Sequence, residues 1–322
     1  MPASPLSHDK PMLGISACLL GAEVRYNGGH KASRLCSHAL SEYFDFVPLC
    51  PEVAIGLGVP RDPIRLVGDP AAPRAVATRH RQQDHTEALA AYAGQVATQL
   101  APICGYIFMQ QSPSCGLQRV KVYQDNGQPG EPRGRGIFAA ALCARYPDLP
   151  VEEDGRLNDP VLRENFLTRV FTYAQWQRLC ASGLTRKRLI DFHARHKYLL
   201  MATDPQRYRS LGRLLGELAG HDLQSLARRY FSELMTALKS CATRGSHSNV
   251  LQHLSGYFKG ALSAAEKQEM QQLIAQYRQG IVPLVVPLTL LKHHLRRHPD
   301  DYVAQQVYLQ PHPENLSLRN AL

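Results

Sequence analysis

Three short apolar runs, each followed closely by a cysteine, constrain this chain more than any other feature of its sequence. The runs are residues 12–15, 46–49 and 106–109, and the cysteines that follow them are Cys18, Cys50 and Cys115. Apolar runs of this length, bounded by turn residues, are typical of buried strands. Pro51, Pro113 and Gly116 mark turns at the second and third exits, so these cysteines are expected just past the carboxyl ends of strands.

Helical segments separate these strands, and the alternation predicts a parallel α/β sheet. Residues 33–43 and 86–100 are predicted helices between successive strands, and residues 137–146 and 161–179 continue the pattern. Neighbouring parallel strands end at the same edge of a sheet, where open α/β sheets bind their ligands. We therefore expect a Rossmann-like, mostly parallel sheet whose strand ends bring the three thiols into one crevice.

A Ser-Gly break at residues 182–183 divides the chain into two predicted domains. Nearly everything after this break repeats apolar residues at helical spacing. We predict a flexible lead-in over residues 1–11, an α/β domain over residues 12–183 and an all-α domain over residues 184–322. A chain of 322 residues is long enough for two domains with cores of their own.

Charge is distributed unevenly between the two predicted domains. Residues 186–322 hold 19 Lys and Arg against 10 Asp and Glu, whereas residues 1–185 hold 18 against 17, and nine of the 14 histidines lie in the later part. A basic helical domain suits a polyanion, although a solvated basic surface explains the same counts. No apolar run is long enough to span a bilayer and the first residues lack a signal-peptide core, so we expect a cytoplasmic protein.

The eight cysteines are expected to be free thiols or metal ligands, because disulfides are rare in cytosolic proteins. A structural zinc site normally includes a close cysteine pair, and this sequence contains none. An iron–sulfur cluster bound through Cys18, Cys50 and Cys115 is the stronger alternative, since three thiolates leave one iron of a four-iron cluster open to a substrate. Three buried free cysteines at strand ends are the simpler explanation of the spacing.

Polar residues near the predicted crevice suggest acid–base and substrate-binding roles. Glu52 follows Cys50 on a proline-fixed turn and Ser112 precedes Cys115, so both are candidates to transfer protons. A helix N-terminal charge and a turn cap are the structural alternatives. The candidate substrate contacts are His30, Lys31, Arg61, Arg65, Ser114, Arg133 and Arg135 in the first domain and Arg186, His193, His196, Lys197, Lys292, Arg296 and Arg297 in the second.

Several motifs resemble those of known families. Residues 16–21, 24–31, 48–52 and 112–116 resemble the thiouracil desulfurases, or TudS-like proteins. Residues 192–198, 247–253, 257–259, 283–289 and 318–320 resemble the YbgA-like domain. The fusion of the two is similar to the tRNA 4-thiouridine desulfurases.

This resemblance implies a chemistry for the predicted crevice. A [4Fe-4S] cluster would be held by Cys18, Cys50 and Cys115, its open iron would take the sulfur of a thiocarbonyl, and Glu52 and Ser112 would have acid–base roles. The implied reaction is hydrolytic and non-redox, so that 4-thiouridine in tRNA becomes uridine and sulfide leaves. The helical domain would hold tRNA, rather than DNA, while the target base leaves its stack.

Two other functions are compatible with the same residues. The substrate can instead be a free thiopyrimidine base, with the helical domain serving oligomerisation. Alternatively, the chain is a non-catalytic RNA-binding protein with a structural or sensory metal. A second metal at His193 and His196 is disfavoured, because these residues lack the flanking acid of a zinc hydrolase helix.

Overall fold

The structure is a computed structural model that describes residues 10–96, 100, 102–124, 126–128, 130, 132–217 and 220–322. The predicted lead-in over residues 1–11 lies almost entirely outside the described residues. The chain forms two compact units, Met1–Asn158 and Asp159–Leu322. This division falls one helix earlier than the predicted break at residues 182–183, because the helix Pro160–Ala181 packs within the second unit.

Seven strands lie in the described part of the first unit. They are β1 (Met12–Ser16), β2 (Asp45–Leu49), β3 (Ile64–Val67), β4 (Arg74–Ala77), β5 (Ile103–Phe108), β6 (Val122–Tyr123) and β7 (Val151–Glu153). Four of them form a parallel sheet in the order β2-β1-β5-β7. Ile15, near the end of β1, pairs with Pro48 on one side and with Ile107 on the other. The predicted parallel arrangement of the three cysteine-bearing strands is confirmed.

A smaller sheet with the order β4-β3-β6 was not predicted from the sequence. Its β3 and β4 strands pair antiparallel, whereas β3 and β6 pair parallel. Strands of four residues beside glycine and proline carry little periodic signal, which explains why β3 and β4 escaped the sequence patterns. The sheet packs around the fully buried side chains of Leu66 and Ala75.

The helices of the first unit connect the strands of the parallel sheet. They are α1 (Pro51–Ala54), α2 (Thr86–Gln95) and α3 (Ile137–Arg145), together with 3-10 turns at Ala17–Leu20 and Arg156–Asn158 and a short π-helix at Leu35–Leu40. The α2 and α3 helices pack against each other. The helix predicted over residues 33–43 is thus shorter and wider than expected. The helix predicted over residues 86–100 ends at Gln95, and residues 97–99 lie outside the described ranges.

The second unit is mostly helical, as predicted. Its α-helices are α4 (Pro160–Ala181), α5 (Arg186–Thr203), α6 (Pro205–Gly216), α7 (Leu223–Leu238), α8 (Arg244–Ser255), α9 (Ala264–Gln279), α10 (Val285–Arg297) and α11 (Asp301–Ala304). Polar side chains cap the N-termini of most of them; the Ser263 hydroxyl, for example, accepts a hydrogen bond from the Glu266 amide. Pro287 lies in the first turn of α10, where its missing N–H costs no helical hydrogen bond.

The core of the second unit is a continuous apolar cluster that includes the protein's single tryptophan. The Trp176 ring stacks on Phe231 with a centroid separation of 4.6 Å, and it meets Phe192 edge to face. Its fluorescence is therefore a specific reporter of folding in this unit. Over the described ranges, none of the helices has both the length and the apolar character needed to cross a membrane.

Candidate active site

A single cavity of about 340 Å³ collects the chemically active residues of the first unit. Cys18, Cys50 and Cys115 all line it, together with Glu52 and Ser112. The cavity lies at the carboxyl ends of β1, β2 and β5, because each of these parallel strands runs directly into one of its walls. The three thiols thus border one cavity, as the strand pattern predicts.

The loop after β1 fixes the position of Cys18. The Ser16 hydroxyl at the strand end accepts a hydrogen bond from the Met109 amide at 3.0 Å, which joins the exits of β1 and β5. Cys18 lies on the following 3-10 turn, and its carbonyl oxygen accepts the amides of Gly21 and Lys31 at 3.3 and 2.9 Å. Gly21 has a φ of 95°, a conformation that favours glycine and lets the chain turn back toward the cavity.

The loop that carries Cys115 is anchored at both ends by acidic side chains from the end of β7. Asp154 Oδ1 accepts the Gln110 amide at 2.9 Å, and Glu153 Oε1 accepts the Leu117 amide at 2.8 Å. These two carboxylates accept hydrogen bonds from backbone amides of the loop that would otherwise lack partners.

Close backbone packing explains the glycine that faces the Cys115 loop. A Cβ atom on Gly136 would lie 2.5 Å from the Ser114 carbonyl oxygen and 2.8 Å from the Cys115 amide nitrogen. Gly136 also donates its amide to the Gly116 carbonyl at 2.7 Å. A larger residue at position 136 would therefore push away the loop that positions Cys115.

Arg61 holds the carboxylate of Glu52 in a largely buried ion pair. Its Nε and Nη2 atoms lie 2.9 and 2.7 Å from Glu52 Oε2, and the two side chains are only 5% and 13% exposed. Arg61 Nη1 and Nη2 also donate to the carbonyls of Gly58 and Val24. Most of its N–H donors are used within the protein, so Arg61 positions Glu52; it also lines the cavity, and its contact with a substrate stays a prediction.

The other carboxylate oxygen of Glu52 begins a hydrogen-bonded chain of two serine hydroxyls. Ser114 Oγ donates to Glu52 Oε1 at 2.6 Å, and Ser112 Oγ lies 2.9 Å from Ser114 Oγ. Ser112 Oγ also accepts the amides of Cys115 and Ser114 at 3.0 and 3.3 Å. Because the one proton of Ser114 is directed to Glu52, the Ser112 hydroxyl must donate to Ser114. The result is a chain of hydroxyls from Ser112 through Ser114 to the carboxylate.

The metal-free thiols are poor acids. Burial raises the pKa of Cys18 to about 11, with a further increase from the nearby Cys50, and burial also raises the pKa values of Cys50 and Cys115. A charge on Cys50 affects the pKa of both other thiols, so all three belong to one electrostatic neighbourhood. All three are therefore protonated at neutral pH until a metal displaces the protons.

The donor set of this cavity fits a soft, multi-atom group better than a single ion. Within the described parts of the chain, no three His, Cys, Asp or Glu side chains are grouped closely enough to hold one metal ion. Three thiols bordering a common cavity are nevertheless the ligand type that iron–sulfur clusters take. Cys104 lies at the start of β5, at the opposite end from the cavity, and does not line it.

The other predicted contacts in the first unit are divided between the cavity and the surface. Lys31 lines the cavity, whereas His30 is exposed and lies outside its lining. Arg65 is half-buried on β3, and Arg133 and Arg135 are exposed; none of the three lines the cavity. The lining residues that were not singled out from the sequence include Arg25 and Tyr26, which belong to the same glycine-containing motif as Lys31.

One predicted contact of the second unit lies in its core and a second is half-buried. His196 is fully buried, and its Nδ1 lies 2.8 Å from the Phe192 carbonyl oxygen. Burial lowers the pKa of His196 to about 3 and that of His193 to about 4, so both are neutral at pH 7. The expectation that His196 contacts RNA is wrong, because it is inaccessible; helical spacing alone did not distinguish the buried face of α5 from the exposed one.

The remaining predicted contacts of the second unit lie at its surface. They are the exposed Arg186, Arg296 and Arg297 and the partly exposed Lys197 and Lys292. Arg297 Nη1 lies 2.7 Å from Glu266 Oε1, and Lys292 is paired with Glu314. Partly exposed ion pairs of this kind contribute little to stability.

A second buried histidine lies in the polar part of this unit's core. His247 Nδ1 lies 2.9 Å from the Tyr308 hydroxyl, and the residue is 6% exposed. Burial lowers the pKa of His247 to about 4, and the positive charge of Arg319 adds to the effect. The protein therefore folds with this imidazole uncharged.

Comparison with known proteins separates the chain into the same two regions. Residues 13–154 match the 2-thiouracil desulfurase family, and residues 197–313 match DUF1722, a family of unknown function. The uncharacterized protein YbgA of Escherichia coli (strain K12) is 33% identical over 161 residues, which are 49% of this chain and 94% of YbgA. The uncharacterized protein YbbK of Bacillus subtilis (strain 168) is 30% identical over 154 residues, which are 46% of this chain and 99% of YbbK.

A similar protein also occurs among solved structures. It is the [4Fe-4S]-dependent thiouracil desulfidase TudS, which is 27% identical, covers 47% of this chain and 95% of its own, and superposes with a TM-score of 0.36. Each of these relatives corresponds to about half of this chain and is itself almost completely covered. The chain thus joins two regions whose relatives occur as separate proteins.

Proposed function

The chain belongs to the 2-thiouracil desulfurase family through residues 13–154 and to the DUF1722 family through residues 197–313, and from this we propose that it is a tRNA 4-thiouridine desulfurase. The observation that supports this most is the convergence of three thiols and an ion-paired glutamate on one cavity. The proposed reaction replaces sulfur by oxygen at the base, without net oxidation or reduction, and releases sulfide.

We assign Cys18, Cys50 and Cys115 as the ligands of a [4Fe-4S] cluster with one iron free of protein ligands. The soft thiol donors, their shared cavity and the absence of a fourth cysteine from its lining support this assignment. When bound, such a cluster supplies a Lewis-acidic iron with affinity for the sulfur of a thiocarbonyl. Loading must release the thiol protons, since burial keeps the thiols protonated without metal.

Glu52 is the residue best placed to accept the proton of an attacking water. Its ion pair with Arg61 uses Oε2 and leaves Oε1 facing the serine hydroxyls. A proton can then move between Glu52 Oε1, Ser114 Oγ and Ser112 Oγ through short hydrogen bonds already aligned in the structure. Ser114, which the sequence suggested as a substrate contact, is the direct hydrogen-bond partner of Glu52. Ser112 is the outer hydroxyl of this chain.

The substrate is proposed to be tRNA because the helical unit has the charge expected of an RNA-binding domain. Residues 186–322 carry nine more Lys and Arg than Asp and Glu, and several of these cations are exposed. The rival is desulfuration of a free thiouracil-type base. It is favoured by the name of the matching family and by a cavity large enough for one base.

The test uses protein purified without oxygen, with iron and sulfide content measured before activity. We expect a coloured protein that removes the 4-thiouridine absorbance of thiolated tRNA. Glu52→Gln should retain the colour and lose roughly 10²- to 10⁴-fold in rate. The matched control Glu87→Gln, on the exposed side of α2, should retain full activity.

The two substrates are separated by parallel assays with thiolated tRNA and with free 2-thiouracil. Activity on the free base alone would replace the tRNA proposal by its rival. A protein that stays colourless after anaerobic reconstitution with iron and sulfide would refute the cluster assignment. A coloured Glu52→Gln variant with normal activity would refute only the role of the carboxylate.

A further inference from the structure

Three tyrosines from separate parts of the second unit meet beside one lysine. Tyr257 and Tyr302 lie nearly parallel, with ring centroids 5.8 Å apart and an interplanar angle of 29°. Lys197 Nζ lies 5.0 Å from the centre of the Tyr198 ring and 5.9 Å from that of Tyr302. We call Tyr198, Tyr257, Tyr302 and Lys197 the tyrosine platform.

The tyrosine platform is anchored in the core and open at one side. Tyr198 is 2% exposed and donates its hydroxyl proton to Tyr257 at 3.2 Å, so the buried ring supports the outer one. Tyr257 itself is 43% exposed, which makes it one of the few large apolar side chains at the surface of this unit. Core packing explains Tyr198, but it gives no reason for an exposed ring held parallel to Tyr302.

We propose that the tyrosine platform stacks an unpaired base of the RNA, with Lys197 close to the adjoining phosphate. Single-stranded nucleic acid is commonly bound by aromatic rings that stack on bases next to cations that contact the backbone. Charge complementarity selects this partner: Lys197 lies next to two of the platform's rings, and Lys259 follows Tyr257 on the same exposed segment. Stacking requires no particular base, so the platform would favour unpaired over duplex RNA.

This inference rests on the proposed function, since it names the part of the helical unit that would hold the tRNA substrate. The platform is also distinct from the cavity of the first unit, because its residues all lie in Asp159–Leu322. Substitutions in the platform should therefore weaken the binding of tRNA and leave the turnover of a free base unchanged. This difference makes the two proposals separable.

The test measures the dissociation constant for thiolated tRNA at several salt concentrations, using the full chain purified without oxygen. Tyr257→Ala should bind roughly 5- to 150-fold more weakly, with an unchanged slope of log Kd against log salt, because stacking releases no counterions. Tyr257→Phe keeps the ring and should bind as the original protein does. Lys197→Met should reduce the salt slope by about one.

Two controls test whether the change is local. Ile281→Ala removes another exposed apolar side chain, which is 65% exposed in the same unit, and should not alter binding. Trp176 fluorescence and free 2-thiouracil turnover should be the same in all variants.

Normal tRNA binding by Tyr257→Ala would overturn the platform while leaving the proposed function intact. Equal weakening by Tyr257→Phe would also overturn it, because the hydroxyl and not the ring would then matter. A parent protein that binds no tRNA but desulfurates 2-thiouracil would overturn the tRNA proposal together with the platform. Preference for duplex over single-stranded RNA competitors would contradict the base-stacking partner.

Discussion

Replacing Arg61 by methionine should destabilise the first unit far more than the loss of an ordinary surface ion pair. Arg61 and Glu52 are 5% and 13% exposed, and both Nε and Nη2 bind the same carboxylate oxygen. Removing one partner of a buried pair leaves the other charge desolvated and costs roughly 3–5 kcal/mol. Arg74→Met, which breaks the exposed pair with Asp84 at 3.7 Å, is the matched control and should cost less than about 1 kcal/mol.

Hydrogen exchange read by mass spectrometry can report on this unit alone. Amides of β5 lie in the buried centre of the parallel sheet and exchange through its unfolding, so Arg61→Met should accelerate them by at least about 10²-fold. Glu52→Gln and the double variant complete a thermodynamic cycle. We expect the double variant to be more stable than the sum of the single changes predicts, by about 1–3 kcal/mol.

The reasoning fails if the two changes are additive to within about 0.5 kcal/mol, because the side chains would then not be coupled. It also fails if Arg61→Met loses no more stability than Arg74→Met does, because the ion pair between Arg61 and Glu52 would then be screened by water. Arg61→Lys should be more stable than Arg61→Met because it restores the positive charge. It should remain less stable than the original protein because lysine cannot make both contacts of the guanidinium.

Two further predictions concern acid stability and cluster loading. The free energy of unfolding of the helical unit should fall by about 3 kcal/mol between pH 6.5 and 4 through His247 alone, because the unfolded chain binds a proton there that the folded imidazole refuses until about pH 4. Urea titrations followed by Trp176 fluorescence should show a loss of stability on acidification that is smaller by this amount in His247→Gln than in the original protein. Equal losses in the two proteins would contradict the burial argument. Gly136→Ala should lower bound iron and activity by displacing the Cys115 loop, whereas Gly94→Ala, with no atom within 4 Å of its new methyl group, should keep both. Normal iron content in Gly136→Ala would contradict this prediction, because the Cys115 loop would then accommodate the added methyl group.

The cysteine positions were predictable because the signals that place them are local. An apolar run, a turn residue and a cysteine lie within a few positions of one another, and parallel neighbours must end at the same edge. The acidic anchors of the Cys115 loop were not predictable in this way. Glu153 is 36 residues from Leu117, and no periodic pattern relates a carboxylate to an amide at that separation.

The roles of individual charges depended on their partners in space. Arg61 was a candidate substrate contact in the sequence, but the turn of α1 brings Glu52 to its guanidinium. His196 and Lys197 are adjacent in sequence, yet one is fully buried and the other reaches the platform. Successive helical positions point about 100° apart, so the packing of neighbouring helices decides which one meets solvent.

The sequence by itself determined the class of the two units, the strand exits that carry the thiols and the basic character of the helical half. These features depend on composition and short-range periodicity, which require no knowledge of distant partners. Tertiary structure alone decided that Arg61 pairs with Glu52, that Ser114 stands between Glu52 and Ser112, and that Tyr257 and Tyr302 come together beside Lys197. Hydrogen bonds and ion pairs act over a few ångströms, so they are set by how the chain folds back on itself and not by distance along it.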